Sequence, residues 1–453
     1  MPAISKNKYS LIEGGIASKL FLVATPIIMT SLFQMAYNLT DMFWLGALSS
    51  YAVAASGTVG LFLWMSVAFM IFGRMGAEIG VSQSFGREDR PAALVFAQNA
   101  VFVAFCMGVG LAVVFYFGSG VFVGFFRIAE ANVEAYAIQY LAMVSFSMPM
   151  MFVSAAVMGI FNGTGNSRVS LLIGGVGFSC NMLLTPVLIF VAGLGVRGAG
   201  LATVFAHSIA LALALVLLKK YRNRPFEKIR LLARPNGFAL RQIFRWVTPV
   251  SVESFFFTSL TMLASLLIVS FGAGAMAAAR VSSQIESLTW LVGGGFASAL
   301  TAFTGQNYGA QKWGRIAKGF RVSSILMACW GLFVAGVLFF GGSFLIGLFI
   351  RDCTEIVAIG AENLRILALV QIPQCLEGVA AGVFRGQGKT LPPSISSIVS
   401  NALRVVLAFA LVRFTGLGLT GVWIAIAAGA GVRGVWVYVW YLWYSRRVPA
   451  VDS

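Results

Sequence analysis

Apolar residues run along this chain in blocks far longer than a soluble helix uses, and polar residues collect in short breaks between them. The blocks cover about 16–46, 54–82, 94–122, 133–161, 168–192, 197–218, 242–271, 280–304, 320–349, 358–384, 393–414 and 419–445. Each reaches the roughly 20 residues that an α-helix needs to cross a bilayer core. Apolarity all the way round, rather than on one stripe, predicts helices surrounded by lipid or by other helices. Six blocks precede a polar stretch at 222–241 and six follow it. The pattern predicts an N-terminal six-helix bundle over 1–221, a linker over 222–241 and a C-terminal six-helix bundle over 242–453.

The two sets of six are copies. A shift of 223 residues carries Thr25-Pro26 onto Thr248-Pro249, and Gln83 with Gly86 onto Gln306 with Gly309. The same shift carries Phe161-Asn-Gly-Thr-Gly165 onto Phe384-Arg-Gly-Gln-Gly388, and Gly193-Leu-Gly-Val-Arg-Gly198 onto Gly416-Leu-Gly-Leu-Thr-Gly421. An even number of spans per copy gives both copies the same orientation, so a pseudo-two-fold axis along the membrane normal is expected. Internal repeats of this kind build secondary transporters.

Composition agrees: 59% of the residues are hydrophobic, 10% are charged and the mean hydropathy is +0.89, which excludes an ordinary soluble domain. The net charge of +17 invites a nucleic-acid reading. The basic residues are instead spread over loops at helix ends, with no soluble basic domain to dock on a duplex. They collect on one side: Lys6, Lys8 and Lys19 before the first block, Arg87, Arg90, Lys312 and Arg315 in loops, Lys219 to Arg245 around the linker, and Arg446 and Arg447 at the end. The positive-inside rule then makes both termini and the linker cytoplasmic, in a bacterial or archaeal inner membrane. Anionic lipid is an expected partner, nucleic acid is not, and a monomer is expected. The first block is too long for a signal peptide and reads as a retained span. Cys106, Cys180, Cys329, Cys353 and Cys375 lack metal-ligand spacing.

Gly386-Gln-Gly-Lys-Thr390 resembles the end of a phosphate-binding loop, but the position five before Gly388 is Val383 and no strand precedes it. One histidine and no clustered ligands also argue against a membrane-embedded enzyme. No catalytic residue and no cofactor are expected, and an ion gradient or the substrate itself must drive any transport. A channel would need a filter-like loop, which the breaks do not offer.

Ionisable residues inside spans are candidate functional positions because each costs at least about 2.5 kcal/mol at a helix centre. The acidic ones are Asp41, Glu78, Glu253, Glu286 and Glu377. Asp41 follows Asn38 and Thr40 in the first block and has no basic residue three or four positions away. Pro26 lies 15 residues earlier, about 22 Å along a helix, and the repeat places Pro249 equivalently. A proline there removes a backbone bond and kinks the helix, as a fixed bend or as a hinge.

The stretch from Pro26 to Asp41, the paired Phe-x-Gly-x-Gly turns, the Gly-Leu-Gly-x-x-Gly turns and Gly305-Gln-Asn-Tyr-Gly309 together resemble the multidrug and toxic compound extrusion (MATE) family. The resemblance implies two six-helix bundles in a V, around a cavity that opens alternately inward and outward. It also implies export of bulky, often cationic organic compounds in exchange for protons or sodium ions. The family's cation site in the first bundle would fall on Asp41, Asn181, Thr185 and Thr203. Thr185 stands where that site has a second aspartate, which puts sodium coupling in question and favours protonation of Asp41.

His207 lies one turn from Thr203 and is a possible proton relay, or a histidine simply hydrogen-bonded within its bundle. In the second half, Glu253, Glu286 and Glu377, with Ser283 one turn before Glu286, form a candidate substrate or second cation site. The alternative for these glutamates is structural pairing with Arg280, Arg404 or Arg433. A lipid-linked precursor flippase of the same superfamily is the alternative function; it would require basic residues in the cavity to hold pyrophosphate.

Overall fold

The computed structural model describes residues 10–128, 130–221, 224–227, 229, 234–350 and 353–447. Lys6, Lys8, Arg222, Lys228 and Arg230, read as cytoplasmic charges, lie outside them. The first half holds α1 (Ile16–Leu48), α2 (Ser50–Gly86), α3 (Arg90–Gly124), α4 (Ala131–Ser145), α5 (Met148–Gly163), α6 (Ser167–Pro186) and α7 (Gly195–Lys220). The second holds α8 (Gly237–Val269), α9 (Ala273–Gly309), α10 (Trp313–Gly347), α11 (Thr354–Ala368), α12 (Gln371–Gly386), α13 (Leu391–Phe414) and α14 (Gly418–Ser445). A π-helical turn, Val187–Val191, extends α6.

The repeat holds at the level of single residues. A shift of 223 carries α2, α3, α4 and α5 onto α9, α10, α11 and α12 without an offset at either end. Left-handed backbone recurs in the same register, at Glu88 (φ 60°) and Gln311 (φ 57°), and at Gly165 (φ 85°) and Gly388 (φ 74°). Glycine suits the latter turns because it has no Cβ to clash at positive φ.

Among the described residues, nine unbroken helices are long and apolar enough to cross a membrane, and two bent pairs bring the number to 11. The remaining rod, α9, matches α2 in length (37 residues each) but carries Arg280, Gln284 and Glu286. The fold is that of an all-α, multi-pass membrane protein with twelve helical rods, six to each repeat. Two of the rods differ from the straight spans the sequence predicts. Blocks 133–161 and 358–384 are each broken, with bends of 48° between α4 and α5 and 51° between α11 and α12. Proline causes both: the Pro149 ring opposes the carbonyl of Ser145, where α4 ends, and that of Pro373 opposes Leu369, just past α11. The two prolines are one register position apart, yet the bends coincide.

Contacts divide the chain into two compact units. Among the described residues, unit 1 takes 10–13 and Leu22–Ser251; unit 2 takes Gly14–Phe21 and 252–447. Within each unit the helices approach through small residues, as membrane helices do in the absence of a hydrophobic drive to associate. A Cβ on Gly159 of α5 would run into the Arg74 carbonyl oxygen of α2, and one on Gly382 of α12 would sit 2.6 Å from that of Ala297 of α9. Gly163 and Gly386 repeat the arrangement one turn on, against the carbonyls of Glu78 and Thr301. The lipid-facing surface carries the large side chains, Phe117, Phe340 and Phe414 among them, each at least 80% exposed.

Both α1 and α8 continue past their prolines. Pro26 has no N–H to offer the Leu22 carbonyl, and the Ser167 hydroxyl of α6 supplies a donor instead, 3.4 Å from that oxygen and 2.8 Å from the Val23 carbonyl. The Thr30 hydroxyl donates back to the Pro26 carbonyl at 2.8 Å.

The glycine crossings should be the least tolerant positions of the fold. Gly159→Ala and Gly382→Ala are each expected to cost about 1–3 kcal/mol through forced separation of the helices, read as a lower melting temperature in detergent. Gly57→Ala and Gly120→Ala, whose added Cβ would meet nothing within 4 Å, should leave it within a degree or so of the parent.

Candidate functional site

Each unit encloses one cluster of polar side chains. In unit 1 the sequence-predicted residues come from three helices and meet. The Thr185 hydroxyl donates to Asn181 Oδ1 at 2.9 Å, one turn apart on α6. Asn181 Nδ2 donates across to Thr203 Oγ1 on α7 at 3.2 Å, and that hydroxyl donates to the Ala199 carbonyl at 3.2 Å. All three residues are buried, none more than 4% exposed. Asp41 of α1 joins through tyrosines. Tyr140 Oη of α4 donates to Asp41 Oδ2 at 3.2 Å, and both Tyr140 and Tyr37 lie against Thr203. Tyr37, one turn before Asp41, stacks on Phe178 of α6 with ring centroids 5.6 Å apart.

The second Asp41 oxygen, Oδ1, is buried and has no hydrogen-bond partner among the described residues. The neutral oxygens differ: that of Asn181 is taken by Thr185, and Thr203 both accepts and donates. The cluster therefore presents a single open acceptor on a carboxylate. His207 lies one turn along α7 from Thr203 and makes no hydrogen bond among the described residues, so it is not part of this chain of bonds.

Sequence reasoning missed Tyr140 and Tyr37. Tyr37 shares the face of Asp41 at helical spacing, a signal that was there to be used. Tyr140 lies 99 residues away in sequence, in a block where a phenol is unremarkable, and only the packing of α4 on α7 brings it in.

In unit 2 two of the three glutamates pair with arginines and the third with neutral side chains. Glu377 of α12 pairs with Arg433 of α14, Oε2 to Nη2 at 2.8 Å. Glu253 of α8 accepts from the Ser394 hydroxyl at 2.9 Å and lies 3.8 Å from Arg385, a partner the sequence did not suggest. Glu286 of α9 accepts from Gln374 Nε2 at 3.1 Å and is flanked by Trp290. Ser283 is exposed and makes no hydrogen bond among the described residues, whereas its neighbour Ser282 is fully buried. Glu78, the remaining acidic residue of a span, is buried in unit 1 where α2 crosses α5.

Known proteins resemble the chain over nearly its whole length. The MatE family model matches residues 26–187 and 249–410, two segments related by the shift of 223. The chain is 27% identical to the probable multidrug resistance protein NorM of Thermotoga maritima, over 96% of this chain and 94% of that one. It is 26% identical to the probable multidrug resistance protein YoeA of Bacillus subtilis, over 95% and 94%. A MATE crystal structure in a bent conformation shares the fold at a TM-score of 0.91 and 21% identity, covering 98% of both chains. An outward-facing multidrug resistance MATE family transporter of the MOP superfamily does so at 0.90 and 21%, covering 99% of both.

The ion pair of unit 2 makes its own prediction. Glu377→Ala leaves Arg433 buried without its partner and should lower stability by about 3–5 kcal/mol, whereas the double replacement Glu377→Leu with Arg433→Leu should recover most of it. Thermal melting of the purified variants in detergent checks both; a double variant no more stable than the single would refute the pairing.

Proposed function

The chain belongs to the MatE family, and from that premise we propose that it is a secondary exporter, not an enzyme, that exchanges organic, mostly cationic compounds for protons by alternating access. The observation that carries the proton reading is the state of Asp41, with one oxygen held by Tyr140 and the other buried and bare. A proton needs one acceptor and leaves a neutral group that the bilayer tolerates. A sodium ion, a hard cation, needs several oxygens at once. Here the oxygens of Asn181, Thr185 and Thr203 are bound to one another, and the second carboxylate is replaced by Thr185. Sodium remains the second reading, because rotation of Asn181 and Thr203 would free two oxygens beside Asp41.

The names of the relatives support the substrate class. We place the protein in a prokaryotic inner membrane as a monomer with both termini cytoplasmic, on the strength of the basic loops. Pro26 divides α1 between its start and Asp41, and the Ser167 hydroxyl holds the carbonyls the proline leaves free. Loss of that contact is the step by which α1 would bend during transport. His207 can relay a proton only if it moves toward Thr203.

Reconstituted vesicles loaded with a fluorescent lipophilic cation test the proposal, first under an imposed proton gradient and then under a sodium gradient at fixed pH and potential. Release is expected under the proton gradient. Asp41→Asn should abolish it while leaving a monodisperse, normally melting protein. Full release by that variant would overturn the role of Asp41, and release under the sodium gradient alone would overturn proton coupling.

A further inference from the structure

Arg404 stands near the middle of α13 (Leu391–Phe414), far from either helix end. A cationic side chain there is costly to place in a bilayer, and it cannot snorkel to the interface as terminal arginines do. Two other arginines of unit 2 have acidic partners, Arg433 with Glu377 and Arg385 with Glu253. Arg404 has no ion pair among the described residues. One of its nitrogens, Nη2, donates to the Thr261 hydroxyl of α8 at 2.9 Å. The guanidinium sits 5.7 Å from the Phe257 ring, and its Nε is buried with no partner. Glu286 lies within electrostatic range of Arg404, but its carboxylate is engaged by Gln374 and Trp290.

The surroundings are built to admit the side chain and something beside it. Gly429 of α14 leaves the space that the Arg404 stem occupies: a Cβ there would lie 2.6 Å from that of Arg404. Phe257, Thr261 and Trp290 are exposed on the same part of unit 2, so the guanidinium looks onto an open face rather than a packed interior. A cation at mid-span does not open onto lipid. A face that carries a cation at mid-span suits water better than lipid.

The repeat sharpens the point. A shift of 223 residues carries Asn181, a member of the unit 1 cluster, onto Arg404. One helix position thus carries a neutral amide in the half that holds Asp41 and a permanent cation in the other half.

We propose that Arg404 is the centre of an anion-recognition site in unit 2 that binds the carboxylate of a zwitterionic organic substrate. The planar guanidinium offers a fork of N–H donors matched to a carboxylate. Phe257 and Trp290, whose rings lie 5.7 Å from Arg404 and 5.2 Å from Arg433, offer apolar contact to the remainder of the molecule. The inference deepens the exporter reading and rests on it for the word substrate, but the binding site itself stands on the geometry of unit 2.

The test uses a matched pair of probes, a rhodamine dye with a free benzoate and the same dye as its methyl ester, with both binding and export measured. Fluorescence anisotropy on the purified protein in detergent gives the Kd of each, and gradient-driven release from vesicles gives transport. Arg404→Gln should weaken binding of the acid about tenfold to a hundredfold, with the ester changed less than about twofold. Arg404→Lys should recover part of the loss, since it restores the charge without the fork. Equal weakening of acid and ester would overturn the proposal in favour of a structural role, and so would an acid that binds the parent no better than it binds Arg404→Gln. Export of the ester reports separately on the exporter reading: its absence, with the selective loss of acid binding intact, would sink that reading and keep the site.

Discussion

Inside a bilayer a polar group without a partner in the protein has no water to turn to, and the rest of this structure follows from that constraint. Backbone N–H and C=O groups are satisfied by winding the chain into long helices, so the fold is all-α. Where proline breaks the ladder at Pro26, a hydroxyl from another helix, that of Ser167, reaches the carbonyls left behind. Where it breaks the ladder near Pro149 and Pro373, the rod bends instead. With no hydrophobic gain from associating in lipid, helices must approach closely enough for dispersion to hold them, which is why Gly159 and Gly382 set backbone against backbone.

The same constraint separates scaffold from chemistry. Duplication has preserved the groups that satisfy the backbone: helix ends, positive-φ turns and glycine crossings recur at a shift of 223. The polar side chains of the two clusters do not recur as such. Asp41 corresponds to Ala264, Thr185 to Ala408 and Thr203 to Ile426, while Glu286 corresponds to Leu63 and Glu377 to Ser154. Each such residue carries a desolvation penalty that its repeat partner avoids or lessens. One backbone thus holds two unlike clusters, one built around a single carboxylate and one around three glutamates with three arginines.

Much of this was legible in the sequence, for a physical reason. Helix-length blocks, the register of the repeat and the rarity of charge within blocks are all one-dimensional signals, and the bilayer makes them strong. Asp41, Asn181, Thr185 and Thr203 could be named because the family pattern supplied their pairing. What could not be read was any contact that depends on which faces of distant helices meet: Tyr140 on Asp41, Ser394 and Arg385 on Glu253, Gln374 on Glu286. The bends were missed because a proline within an apolar block signals a kink without saying whether the helix continues, as it does past Pro26, or ends, as it does before Pro149.

The contrast between the clusters bears on how one protein can couple two fluxes. A carboxylate whose hydrogen-bond partner among the described residues is a phenol can gain or lose its charge without leaving a counter-charge stranded, which is what the proposed pick-up and release of an ion would require. Carboxylates locked to arginine behave differently. Removing either side chain of the Glu377–Arg433 pair would strand the other, so the two hold one another in a fixed arrangement. A fixed arrangement is what recognition of a charged organic molecule requires, because its groups must meet complementary ones. On the proposed exchange, the carboxylate that would take up the ion and the arginine-paired carboxylates stand in different repeats of one scaffold.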